Sequence, residues 1–456
     1  MRTVDQFPFV RTKWLLFHQP DGGYLRHSEG DGTYLTGEIW ELTDLAVKTL
    51  LLCDGTRTVE KILNEIHDTC EAEDFSPPES AAKFLAEAMQ NGIIGFQYQP
   101  KKHPLIEKGA KNKYYPMHFA IELTDACNLR CKHCYRESGP DLSHLLPTTT
   151  LIDLLSELHR NGVHSLELSG GEPTFHPDFI QILEFSLQHF GAVAVLTNGT
   201  LLNAPIYTIM EKYQHKAIVQ VDLDGCNSKE HDYLRGVSGA FDKAVVAIQE
   251  LSKRGIRVRV AMSLHKANFD SIEKTYQLAK NLGAKWFTCS PVIDIGRADK
   301  EMLLSWEQLQ TAVECLNTLA HQDPSTVLTA SELKRLSGKL GSNCGAGSRS
   351  IALGPDGRIR PCFLVSKVIP AFKNILDISL EEAIIEAPLS FFRNLEPPCP
   401  ELCGECTYTI FCYGCIARPL LAWDRAKKEG KPFRCSWSIS TGFGERIGIS
   451  PYGSNM

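Results

Sequence analysis

The chain has 456 residues, 43% of them hydrophobic and 22% charged, with a formal net charge of −6. That length accommodates two or three domains of the usual ~100–200 residues, and the composition excludes wholesale disorder. No run approaches the ~20 apolar residues of a membrane span, and the acidic balance offers no basic field to nucleic acid, so neither a membrane nor a nucleic acid is an expected partner. The N-terminal residues lack a basic stretch followed by an apolar one, and a cytoplasmic location is expected.

Residues 1–100 read as a small α+β domain. TKWLLFHQ and GYLRH, separated by Pro20-Asp21-Gly22-Gly23, predict a hairpin with a turn-rich loop. LTDLAVKTLLLC predicts an amphipathic helix with Thr43 as N-cap, and Thr58 caps a second helix, VEKILNEIH. EDFSPPES reads as a linker, AAKFLAEAMQNG as a third helix and IIGFQ as a closing strand. The order predicts a winged-helix module, and without a basic recognition helix DNA binding is not expected. Residues 101–117 are polar and lysine-rich, a linker by pattern.

From 118 to 325 strands and helices alternate. The strand candidates are FAIEL, SLEL, AVAVL, AIVQVDL, RVRVAMSL and KWFTCSPV. The intervening helices are LIDLLSELHRNG, PDFIQILEFSLQ, DKAVVAIQELSKRG and DSIEKTYQLAKNLG. Six such units predict an α/β fold with a parallel sheet, a partial (β/α)6 TIM barrel. Residues 326–456 break into short pieces punctuated by Gly, Pro and Cys, with too little apolar periodicity for an independent core, so bound metal is expected to organise them.

Sixteen cysteines are distributed unevenly: two in the first 126 residues, three at 127–134, and eight from Cys344 onward. Clustered cysteines in a chain without an export signal read as metal ligands rather than disulfides. Cys53, Cys70, Cys226, Cys289 and Cys315 stand singly in apolar stretches and read as core residues. Cys127-x3-Cys131-x2-Cys134 follows the strand FAIEL. Structural zinc takes four ligands, usually in close pairs, and ferredoxins use a run of four cysteines. Three thiolates on one loop leave one iron of a cubane [4Fe–4S] cluster open to chelate a substrate.

This spacing, with His133 just before the third cysteine, resembles that of the radical S-adenosylmethionine (SAM) superfamily. Further motifs stand in the family's order, each at the end of a predicted strand. Gly170-Gly171-Glu172-Pro173 resembles the family's contact to the SAM amino group. Thr197-Asn198-Gly199 follows AVAVL. Asp222-Leu223-Asp224-Gly225 with Arg235 resembles the segment that holds the ribose and carboxylate. Ser263 and Pro291-Val292 follow, the latter near the adenine site. A lone Gly-Gly-Glu-Pro is more often just a turn; the set together, on the C-terminal edge of one barrel, marks an active site. Asp222 stands where many relatives carry a small hydroxyl residue, though a carboxylate can still accept from a ribose hydroxyl.

The C-terminal run Cys344-x12-Gly357-x4-Cys362, Cys403-x2-Cys406-x5-Cys412-x2-Cys415 and Cys435 resembles the SPASM extension, an iron–sulfur domain with two auxiliary [4Fe–4S] clusters. It departs from the family by having two residues rather than three between Cys412 and Cys415. The resemblance implies Cys403, Cys406, Cys412 and Cys435 on one cluster and Cys344, Cys362 and Cys415 on the other. Some relatives carry a fourth cysteine where Ser350 stands here; Cys399 folding back, or a substrate thiolate, are the two ways to complete that set. A pair of zinc ribbons is the alternative that the spacing permits.

LLLCDGTRTVEKIL and FLAEAMQNGIIGF resemble the leader-peptide recognition domain of peptide natural-product maturases. The whole resemblance implies a maturase of a ribosomally made precursor peptide, with SAM and three [4Fe–4S] clusters, served by a flavodoxin- or ferredoxin-type electron donor. It implies Cys sulfur-to-carbon thioether crosslinks, as in sactipeptide and ranthipeptide maturases, made through a 5′-deoxyadenosyl radical. A carbon–carbon crosslink, a formylglycine-type protein maturase and a non-enzymatic winged-helix metal-ribbon regulator are the alternatives.

Overall fold

A computed structural model describes residues 6–27, 39–69, 77–327, 345–347, 350–365, 373–385, 392, 395, 398, 400–403, 415–430 and 435–442. They fall mainly into two compact units that part after Tyr115.

In the first unit β1 (Phe7–Val10) pairs antiparallel with β5 (Ile94–Gln97). A second sheet has the order β4 (Ile39–Thr43), β3 (Gly22–His27), β2 (Trp14–Gln19), β6 (Ile106–Lys108). The β2–β3 hairpin is tighter than its sequence suggests. Gln19 pairs with Gly22, so Gly22 and Gly23 belong to the strand and Pro20-Asp21 alone makes the turn. Glycine is required there because a Cβ on Gly22, at φ +144°, would lie 2.0 Å from the Leu42 carbonyl oxygen of the neighbouring strand. The helices are α1 (Asp44–Leu52), α2 (Val59–Thr69) and α3 (Pro77–Gln90). Thr43 Oγ1 caps α1 by accepting the Ala46 amide at 3.2 Å. The α3 helix begins inside the stretch read as linker, since proline in a first helical turn forfeits no internal hydrogen bond. The 101–117 linker also contains β6, whose three residues pair parallel with Leu15–Phe17 of β2; a strand with every side chain exposed leaves no apolar period to read. Leu16, Leu25, Leu50, Ile62, Ile66 and Ile93 form the core.

The second unit contains all six expected strands: β7 (His118–Glu122), β8 (Ser165–Ser169), β9 (Ala192–Thr197), β10 (Ala217–Asp222), β11 (Arg257–Leu264) and β12 (Trp286–Pro291). They lie parallel in sequential order, a wall compatible with a partial barrel. The sheet continues beyond β7 into β13 (Ser350–Leu353), parallel to it, and β14 (Ile359–Arg360), antiparallel to β13. Helices α4 (Thr148–Arg160), α5 (Phe179–His189), α6 (Ala204–Lys212), α7 (Ser228–Arg235), α8 (Ala240–Lys253), α9 (Ile272–Asn281) and α10 (Trp306–Gln322) fill the connections. Two of them, α7 and α8, lie between β10 and β11. Among the described residues no helix is long and apolar enough to cross a membrane.

Candidate active site

The loops after the six strands gather at the C-terminal edge of the sheet. The loop after β7 carries Cys127, Cys131 and Cys134 and is fixed from several sides. Asp125 accepts the His144 amide at 2.8 Å, with His144 Nδ1 2.6 Å from its other oxygen. The Cys127 amide donates to Gly139 O, and the Lys132 amide to Leu234 O in α7. Arg297, beyond β12, donates Nε to Cys131 O at 2.8 Å and Nη1 to Ser138 O at 2.7 Å. Cys127 and Cys131 are buried and Cys134 is half-buried, all packed around Leu129.

Gly170 and Gly171 press their backbone against this loop. The Gly171 amide donates to Thr124 O at 2.7 Å and the Glu172 amide to Ala126 O at 2.9 Å. A Cβ on Gly171 would stand 2.3 Å from Ala126 O, and one on Gly170 2.5 Å from Thr124 O. The glycines thus seat the residues that lead into Cys127. Gly171→Ala is expected to lower iron uptake and cut SAM cleavage by about tenfold, with every cysteine intact, because the overpacking is against unyielding backbone. Iron analysis beside a 5′-deoxyadenosine assay checks this.

Glu172 is fully buried. Its Oε1 accepts from Thr174 and Thr197 hydroxyls, and its Oε2 from the Asn198 amide at 2.8 Å. Only Oε2 keeps accepting capacity in reserve. Asn198 turns its Nδ2 toward Asn128 Oδ1 (3.0 Å) and Cys127 Sγ (3.9 Å). Asp222 and Arg235 reach each other at 3.1 Å, and Arg235 also lies 2.6 Å from Asp224 Oδ2 and 3.8 Å from Cys131 Sγ. Ser263 gives its amide to Asp224 Oδ1 at 2.8 Å, and the Val292 amide donates to Leu264 O. His133 is half-buried against Asp224, Arg235, His265 and Arg297, and burial pushes its imidazole down to about 4, so the ring is neutral.

Asp224, His265 and Asn268 complete the site. Asp224 lay within a recognised motif. Asn268, which donates to both Asp224 O and Ser263 O and so ties the ends of β10 and β11, carried no signal in the sequence.

Two observations bear on what binds here. Burial pushes the Cys127 thiol up to about 12 and raises that of Cys131 against the opposing Arg235 charge, so thiolates in this pocket need a cationic partner. The three thiols lie together on one loop, packed around Leu129, as the protein ligands of a multi-iron cluster would. Beside them, His133 Nδ1, Arg235 Nε and His265 Nε2 are buried without a hydrogen-bond partner. Buried polar atoms are rarely left so, and a donor–acceptor-rich ligand next to the cluster, such as SAM, fits them.

Of the C-terminal cysteines, Cys362, Cys403, Cys415 and Cys435 lie among the described residues; Cys344, Cys399, Cys406 and Cys412 lie outside them. Helix Pro400–Cys403 packs on helix Ser436–Thr441, which begins just after Cys435. Helix Ala417–Lys428, two residues past Cys415, packs on the turn Phe363–Val365, which follows Cys362. Ser350 opens β13, with its amide donating to Gly345 O.

Residues 121–279 match the family model of the Radical SAM superfamily, and residues 344–407 match SPASM, an iron-sulfur cluster-binding domain. The chain belongs to the radical SAM superfamily, among its SPASM-bearing peptide maturases, and is an enzyme that uses SAM and multiple [4Fe–4S] clusters. It is 31% identical over 448 residues to the antilisterial bacteriocin subtilosin biosynthesis protein AlbA of Bacillus subtilis (strain 168), covering 95% of this chain and 96% of that one. It is 30% identical over 332 residues to the mycofactocin maturase MftC of Mycobacterium tuberculosis (strain ATCC 25618 / H37Rv), covering 69% and 81% respectively. In fold it is similar to Streptococcus suis SuiB bound to precursor peptide SuiA, at a TM-score of 0.61 and 16% identity over 91% of this chain and 96% of that one.

Proposed function

We propose that the enzyme forms Cys sulfur-to-carbon thioether crosslinks in a ribosomally made precursor peptide. The observation that carries this reading is the likeness to a bacteriocin biosynthesis protein along nearly the whole chain. Cys127, Cys131 and Cys134 hold the radical cluster, and Gly170, Gly171, Glu172, Asn198, Asp222, Arg235, Ser263, Val292 and His133 surround SAM. When bound and reduced, this pair supplies the radical that abstracts a hydrogen atom. The chain's own task is to orient the peptide and exclude water, within residues 118–325. Residues 326–456 hold two auxiliary clusters, one on Cys403, Cys406, Cys412 and Cys435, the other on Cys344, Cys362 and Cys415. Ser350 in place of a fourth cysteine leaves that second set able to take a peptide thiolate, a soft ligand suited to iron, unless Cys399 fills it. A flavodoxin- or ferredoxin-type donor in the cytoplasm provides electrons.

Given its precursor, SAM and a reductant, the enzyme is expected to remove two hydrogens per link and leave the linked Cys unreactive to alkylation. Mass spectrometry after alkylation reads this directly. Loss of two hydrogens with every Cys still alkylatable rejects the thioether in favour of a carbon–carbon link.

Residues 1–100 serve as a winged-helix leader-recognition domain, joined by 101–117 to the barrel. Among the described residues β4 is an edge strand of the four-stranded sheet, able to take an extended leader as an added strand. Protein lacking residues 1–100 is expected to cleave SAM at its former rate but to modify the full precursor far more slowly, since leader binding raises the local concentration of the segment to be modified. Equal turnover of the precursor by the shortened enzyme rejects this role.

A further inference from the structure

Glu122, the last residue of β7, is fully buried, and its carboxylate is approached by side chains from two stretches far apart in sequence. Tyr135 donates its hydroxyl to Oε1 at 2.8 Å, and Arg136 donates Nη1 to Oε2 at 2.6 Å. Arg360, at the end of β14 and only 4% exposed, brings Nη1 within 3.5 Å of the same Oε2. Its Nη2 donates to both carboxylate oxygens of Asp356, at 2.9 and 2.8 Å. Two carboxylates and two guanidiniums leave the group formally neutral.

The positions of these donors give the group its meaning. Tyr135 and Arg136 directly follow Cys134, and Arg360 stands two residues before Cys362. The β7–β13 ladder runs from His118↔Ser350 to Ile121↔Leu353, so Glu122 is the next residue beyond the last pair. Backbone pairing sets the height of the hairpin, and the carboxylate then fixes its end against the cysteine loop. Burying Glu122 and Arg360 carries a desolvation penalty that apolar packing would avoid. Directional, charge-assisted hydrogen bonds give in return a fixed position that sliding apolar surfaces do not.

We infer that Glu122 is a positioning residue that couples the loop bearing Cys127, Cys131 and Cys134 to the segment leading into Cys362. Through it, a displacement at either cysteine site is transmitted to the other. The coupling needs the family's cofactors but neither the peptide nor the thioether proposed above.

The test uses the full-length reconstituted enzyme with Glu122→Gln, Arg360→Met and the double variant. Arg360→Met is expected to speed amide hydrogen exchange in residues 127–138 by about tenfold, although no residue of that loop is replaced. It is also expected to alter the change that SAM induces in the electron paramagnetic resonance spectrum of the reduced enzyme. The double variant should show an effect close to that of either single one, because the replaced groups act on one contact. Faster exchange confined to 350–365, with a SAM-induced spectral change identical to the parent's, overturns the inference. Should Arg360→Met fail to take up iron, Arg136→Met reads the coupling in reverse: faster exchange in 350–362 supports it, and unchanged exchange there overturns it.

Discussion

Replacing Cys127, Cys131 and Cys134 together by alanine is expected to remove about four irons per chain and abolish SAM cleavage, while the auxiliary clusters remain. The loop can survive the loss of its thiols because its backbone is held by groups that do not involve sulfur. Asp125 anchors its start through His144, Arg297 grips the carbonyls of Cys131 and Ser138, and Gly171 and Glu172 brace residues 124–126. The auxiliary clusters draw on a different set of cysteines, from Cys344 onward, so their irons are expected to stay bound even where the loop shifts. Iron analysis and a 5′-deoxyadenosine assay under reducing conditions check both halves. Continued 5′-deoxyadenosine formation by the triple variant means the radical cluster sits elsewhere.

The barrel strands were legible because short segments rich in β-branched and apolar residues recur between helical stretches. AVAVL and RVRVAMSL correspond to β9 and β11 within a residue. The α7 helix was not legible, since its buried residues are His231, Leu234 and Arg235, and two of these are polar residues that face the site rather than a core. The short β13 escaped because four residues in a Gly-rich stretch make no pattern; their pairing with β7 is a long-range contact. At the site, cysteine spacing and the family resemblance singled out the cysteine loop and the Gly-Gly-Glu-Pro motif. It did not reveal that the two glycines act by close backbone approach to residues 124–126. Nor could it pair Glu122 with Arg360, 238 positions apart, because an ion pair between distant residues leaves no periodicity in either segment.

Arg235→Met is expected to destabilise the protein by roughly 3–5 kcal/mol, the usual cost of leaving a buried charge without its partner. The guanidinium is 4% exposed and stands between Asp222 and Asp224, beside Cys131 Sγ. Burial alone would raise the Asp224 carboxyl, but Arg235, with His133 and His231, outweighs it and holds the group below the usual carboxylate range. The stability this supplies is present above the carboxyl's ordinary titration range and is lost only as pH falls through the lowered value. In Arg235→Met the desolvation remains without its main compensation, so Asp224 should titrate at higher pH and unfolding in acid should begin earlier. Denaturant unfolding as a function of pH measures both effects. The double variant Arg235→Met/Asp224→Asn removes the stranded charge and is expected to recover most of the lost stability. SAM cleavage should nevertheless stay low in it, because no cation then faces Asp222 and the Cys131 sulfur, and an uncharged side chain cannot replace a guanidinium beside a thiolate and a carboxylate. Recovery of stability without recovery of cleavage separates the functional role of Arg235 from its packing. Recovery of both would reduce Arg235 to a partner for one buried aspartate.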